Sequence, residues 1–231
     1  MNSNLKSLSI LALLAIVAAC QPEKKSEEAA VKEEKKEEET SSILSDGGSI
    51  INPNLASEEV LTTTGMPATL ISSVIENRPF LSMTDFDALV TGQLDSVAKA
   101  ALYVNVFVPL NLNTTAEADF KLVPGVGDRM AHEFEEYRPY VKIDQFRKEI
   151  GKYVDEAEVT RYEKYVFVPV ELNTATKEEI LAIPGVGERM LHEFEEYRPY
   201  QNMEQFRKEI GKYVDEKELA RLERFVYLKD Q

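Results

Sequence analysis

The stretch Leu122-Val-Pro-Gly-Val-Gly127 returns sixty residues later as Ala182-Ile-Pro-Gly-Val-Gly187. Pro124 and Pro184 fix φ and disfavour continuing a preceding helix, and the glycines permit a sharp reversal because a residue without Cβ tolerates positive φ. A new helix is predicted to open at Asp128 or Glu188. Each turn therefore presents unpaired backbone N–H groups at a helix N-terminus, an arrangement suited to an anion.

The similarity extends well beyond the turn. His132-Glu-Phe-Glu-Glu-Tyr-Arg-Pro-Tyr140 recurs unchanged as His192–Tyr200, and Gln145–Glu156 as Gln205–Glu216. A diverged copy comes first: Arg78-Pro79-Phe80 matches Arg138-Pro139-Tyr140, and Val106-Phe-Val-Pro109 matches Val166-Phe-Val-Pro169. A fixed period of this size indicates stacked supersecondary units. The boundaries read as 51–109, 110–169 and 170–231.

Each copy is expected to hold four helices, giving an all-α fold. The first opens near Asn113-Thr114, with Thr114 and Glu117 at capping-box spacing, or at Asn52-Pro53 in the first copy. The second carries Met130, Phe134 and Tyr137 on one stripe, echoed by Met190, Phe194 and Tyr197. The third carries Ile143, Phe146 and Ile150 and ends at Gly151. The fourth opens at Asp155 and buries Val159, Tyr162 and Val166. A unit of ~60 residues is marginal alone, so the copies should lean on one another through the Val-Phe-Val-Pro connectors.

The amino-terminal end has a different character. Lys6, an apolar run Leu8–Val17 and Val17-Ala-Ala-Cys20 resemble a bacterial lipoprotein signal, with cleavage after residue 19 and lipid on Cys20. Cys20 is the only cysteine, so an intrachain disulfide is impossible. Gln21 at the next position leans, by the usual sorting pattern, towards the outer membrane. Residues 20–50 are dominated by Glu, Lys, Ser and Ala, too polar to offset ordering entropy, and read as a disordered tether reaching ~30 Å.

Asn173-Thr-Ala-Thr-Lys-Glu-Glu-Ile-Leu-Ala-Ile-Pro-Gly-Val-Gly187, with a helix and Tyr-Arg after it, resembles the helix-hairpin-helix domain of ComEA-type competence DNA receptors, and Asn113–Gly127 is similar. The likeness covers the second and third copies and only outlines the first. It implies a non-enzymatic protein that binds duplex DNA without sequence preference, through Gly125, Val126, Gly127, Gly185, Val186 and Gly187, with Arg129 and Arg189 as supporting cations. No cofactor is implied.

Charge pulls the other way. The chain carries 27 Lys and Arg against 41 Asp and Glu; 6 and 9 of these precede Ile51, so the remainder is also acidic, 21 against 32. An acidic surface opposes general attraction to a polyanion. Asp128 or Glu188 follows each second glycine, suits the helix dipole, and competes with phosphate for the same amides. Glu133, Glu135 and Glu136 crowd the next turns, with Glu133 placed to pair with Arg129 at i,i+4. The first copy has Gly65-Met-Pro67 and only Arg78 and Lys99 nearby. Arg147, Lys148 and Lys152, with their copies Arg207, Lys208 and Lys212, form the remaining basic cluster and read as a solvated face paired with Glu149 and Asp155. His132 with Glu136 lacks the second histidine of a zinc helix and reads as a surface pair. The alternative to a DNA receptor is an envelope module that docks another protein, since fold does not fix function.

Overall fold

The computed structural model describes residues 49–229, so the signal segment, Cys20 and the tether through residue 48 lie outside the described residues. Helices dominate. The first segment contains α1 (Glu58–Thr63), α2 (Ala68–Asn77), α3 (Met83–Thr91) and α4 (Ser96–Tyr103). The second contains β1 (Leu110–Asn111), α5 (Glu117–Phe120), α6 (Asp128–Glu136), α7 (Ile143–Ile150), α8 (Glu156–Glu163) and β2 (Val166–Phe167). The third contains β3 (Val170–Glu171), α9 (Lys177–Leu181), α10 (Glu188–Glu196), α11 (Met203–Ile210), α12 (Glu216–Glu223) and β4 (Val226–Tyr227).

The helices are short and most are started by a side-chain oxygen. Ser57 accepts from the Val60 amide, Asp155 from Glu158 and Asp215 from Glu218. Ser82 with Asp85, and Thr176 with Glu179, form reciprocal capping boxes. The capping expected of Thr114 does not occur. α5 begins two residues later with Ala116 at its cap and no side-chain bond, because Ala116 stands where the third segment has Thr176. Asn52 likewise starts no helix; it accepts from the Asn54 amide in a local turn, and Ser57 starts α1 instead. Gly151 does end α7, but at φ −62°, so no left-handed cap is involved; a Cβ there would sit 2.8 Å from the Arg147 carbonyl.

Asn113 acts at long range. Its side chain donates to the Tyr140 carbonyl at 2.8 Å and accepts from the Tyr140 amide at 2.7 Å. Asn54 holds Phe80, and Asn173 holds Tyr200, in the same two-pronged way. The clamped residue follows a cis bond to Pro79, Pro139 or Pro199. Arg78 and Arg138 reinforce these corners, donating to the carbonyls of Ala56 and Leu112 respectively, each at 2.6 Å.

The connectors carry short extended pairings, Val166-Phe167 as a strand and Val106 as a single bridge, which modifies the all-helical expectation. β1 pairs with β2 and β3 with β4, both in parallel, and Ile51 bridges Val106 in the same sense. Each segment thus begins beside its own end. β-branched and aromatic residues suit this extended backbone. Edge-on contact of Phe107 with Tyr165 at 5.0 Å, and stacking of Phe167 on Phe225 at 4.2 Å, join successive segments.

One apolar core runs from Ala56 to Val166 and a second from Leu172 to Val226. Phe134 centres the first, with edge contacts to Phe120, Phe146 and Tyr162 at 5.0–5.6 Å. Phe146, Ile150, Val159, Tyr162 and Val166 are buried; Met130, Tyr137 and Ile143 lie at the core's edge.

Candidate functional site

Each Pro-Gly-Val-Gly stretch makes a tight reversal. Gly125 and Gly185 have φ of +80° and +82°, a conformation that only glycine adopts freely. The Val126 amide donates to Val123 O at 2.9 Å, and Val186 to Ile183 O at 3.0 Å, closing the turns. Both valine side chains point into the core. Val126 and Val186 therefore anchor the hairpins and offer no free amide, which removes them from the anion-facing set.

The helices that follow are uncapped. Gly127 and Gly187 are the N-cap residues of α6 and α10, in extended backbone, with no side-chain bond to the first turn. The first bonds into each helix run from Ala131 to Gly127 O and from Leu191 to Gly187 O, each at 3.0 Å. The amides of Asp128, Arg129 and Met130, and of Glu188, Arg189 and Met190, precede those bonds and have no intrahelical partner. Their partial positive charge adds to the helix dipole. Asp128 does not fold back onto them; its carboxylate reaches Lys121 at 3.0 Å, and Lys121 also holds Glu117 at 2.7 Å. The two acids raise the Lys121 pKa, Glu117 most.

Arg129 and Arg189 stand exposed on the first turns of these helices. Arg129 is not paired with Glu133. It lies over the Tyr153 ring at 5.7 Å, and Glu133 and Glu193 are buried, not part of a surface acidic belt. The Tyr137 and Tyr153 hydroxyls bond at 2.7 Å, and Lys152 Nζ sits 4.7 Å from the centre of the Tyr137 ring. The bond to Tyr137 and a further one to Glu133 push the Tyr153 hydroxyl well above the usual tyrosine range.

What holds the reversals in place is a residue that sequence reasoning passed over. Arg161 of α8 donates to the Pro124 carbonyl at 2.6 Å while gripping Glu158 through Nε at 2.7 Å and Nη2 at 2.5 Å. Arg221 of α12 does the same to Pro184 and Glu218. A Cβ on Gly125 would stand 2.7 Å from Arg161 Nη2, so besides the cost of φ a larger residue displaces the guanidinium. The Arg161 bond holds the Glu158 carboxyl below its ordinary range despite partial burial. A signal for this latch exists: the first segment carries Ala98 and Ala101 where the others have Glu158–Arg161 and Glu218–Arg221, and it also lacks the Gly-Val-Gly turn.

Other charged residues are engaged elsewhere. Arg147 pairs with Glu163 and Asp144, Arg207 with Glu223, Lys152 with Glu149 and Lys212 with Glu209. Asp155, expected among those partners, caps α8. In the first segment Arg78 is spent on the Ala56 carbonyl and Lys99 on Asp87 at 2.8 Å. His132 and His192 face Glu136 and Glu196 at 3.8 and 3.6 Å on the surface. Among the described residues no helix is long and apolar enough to cross a membrane. No family model, no curated protein and no solved structure matches the chain.

Proposed function

We propose that this is a lipid-anchored, non-enzymatic protein of the cell envelope that binds duplex DNA without sequence preference. In this reading its three segments are tandem helix-hairpin-helix units, the anchor is Cys20, and the outer membrane is its location. One observation carries the proposal: two glycine reversals, each latched by an arginine, lead into helices whose first-turn amides no side chain caps and whose first turn bears an exposed arginine. A phosphate oxygen suits such a cluster, since several N–H dipoles converge on it with the helix dipole behind them. Gly125, Gly127 and Arg129 form one site, and Gly185, Gly187 and Arg189 the other.

Fluorescence anisotropy with a labelled duplex, at low and moderate salt, tests this. Affinity falls with salt as counterions are released, and Arg129→Ala with Arg189→Ala lowers the salt slope by about two. Absence of binding at low salt refutes it. The second reading, an envelope module that docks another protein, is favoured by the acidic balance of the chain and by the ion pairs that occupy Arg147, Lys152, Arg207 and Lys212.

A further inference from the structure

The two latched hairpins differ in how far their arginines are buried. Arg161 keeps a third of its side chain exposed, whereas Arg221 is buried almost completely, at 1 % residue exposure. α8 and α12 differ beside the arginines, with Val159 and Tyr162 where α12 has Leu219 and Leu222, and what lies on top differs as well. At Gly125 the nearest atoms to an added Cβ all belong to Arg161 and Glu158. At Gly185 one of them belongs to the first segment: Leu55 Cδ2 would stand 3.1 Å from that Cβ. A run of bonds holds the segments in this relation. Arg224, just past α12, donates to Pro109 O at 2.7 Å, and Asn111 donates to Arg224 O at 2.8 Å. Burial pushes the Arg224 pKa down to about 10, against the pull of Asp119. Asp119 itself accepts from the Thr84 amide and hydroxyl at 2.6 and 2.8 Å.

We infer that the first segment serves as a brace for the third hairpin, with Leu55 as the positioning residue that seals the Arg221 latch beneath Gly185. Excluding water from a guanidinium–carbonyl bond strengthens it, because the local dielectric falls. A segment whose own turn and cations are unsuited to phosphate thereby stiffens a hairpin that lies more than a hundred residues away. The brace stands on packing alone; only its value for phosphate binding rests on the proposed function.

The test is residue-resolved amide exchange on the full chain. Val186 and Leu191 report the third hairpin, and the equivalent bonded amides of Val126 and Ala131 report the second. In Leu55→Ala, Val186 and Leu191 are expected to exchange about tenfold faster while Val126 and Ala131 stay within about twofold of the unaltered chain. Leu55→Met, which restores apolar cover, returns the wild-type rates. Leu55→Val, a milder truncation, gives an intermediate rise should Leu55→Ala fail to fold. A uniform rise at both hairpins, or none at either, overturns the inference. A DNA arm uses the same variants: Leu55→Ala and Arg189→Ala act on one site and are non-additive, whereas Leu55→Ala and Arg129→Ala multiply. If the unaltered chain binds no duplex, the proposed function fails and the exchange result still decides the brace.

Discussion

Replacing Gly65 and Gly185 by alanine, one at a time, separates the strain of a left-handed backbone from the latch. The two glycines have φ of +81° and +82°, so the backbone term is the same in both, about 1–2 kcal/mol. Their surroundings differ. An added Cβ at Gly65 meets nothing within 4 Å, while at Gly185 it meets Arg221 Nη2 at 2.8 Å and Leu55 at 3.1 Å. The Arg221 guanidinium has to move, and its bond to the Pro184 carbonyl breaks. A hydrogen bond from a charged group contributes about 1.5–3 kcal/mol. Gly65→Ala should therefore cost about 1–2 kcal/mol and Gly185→Ala about 2.5–5 kcal/mol. Gly125→Ala falls between, because the more exposed Arg161 has room to swing away. Urea unfolding followed by circular dichroism, with linear extrapolation, gives the three differences. Equal losses at Gly65 and Gly185 would refute the latch.

Three further outcomes follow from the same geometry. Asn113→Ala strips partners from both main-chain groups of buried Tyr140 and should cost about 2–4 kcal/mol, read by the same unfolding assay; Asn113→Asp keeps the acceptor, loses the donor and must also destabilise. Glu158 has a depressed pKa in the folded chain, so its contribution is present above the ordinary glutamate pKa of 4.5 and is lost as pH falls through the lower folded value. Carboxyl carbon shifts followed by NMR should place its midpoint below 4.5, and Arg161→Ala should return it to the ordinary range. Asp128→Asn with Glu188→Gln removes a carboxylate beside each amide cluster. The repulsion relieved is about 1 kcal/mol per site, so duplex affinity by anisotropy should rise roughly fivefold or more. Unchanged affinity would show that phosphate does not approach these turns.

Much of the local structure was legible because its causes are local. Proline and glycine leave the backbone few choices, so the reversals at Pro124–Gly127 and Pro184–Gly187 follow from residue type. The cap at Asp155 needs only the Glu158 amide three residues on, and the Phe146–Ile150 stripe only a helical period. The misplaced parts depend on partners remote in sequence. Asn113 is an equally good cap or turn residue until Tyr140, 27 residues away, takes both of its amide groups. Arg161 looks like half of an i,i+3 ion pair, and its bond to Pro124 spans 37 residues. Glu133 reads as one more surface acid among several, yet the helix phase turns it inward beside Tyr153. Val166-Phe167 has strand propensity without naming Leu110-Asn111 as its mate. Comparing the copies would have found the latch, since Ala98 and Ala101 replace the pair where the turn is also lost.

The parallel pairing of each opening strand with its own closing strand bears on how such a chain lengthens. Ile51 meets Val106, Leu110 meets Val166 and Val170 meets Val226, so every period starts and finishes at one point in space. A stretch copied whole brings its own hydrogen-bonding mate and leaves the neighbours' ladders intact. The unchanged His132–Tyr140 and His192–Tyr200 runs fit growth by such duplication, with the most diverged copy free to drift into other work.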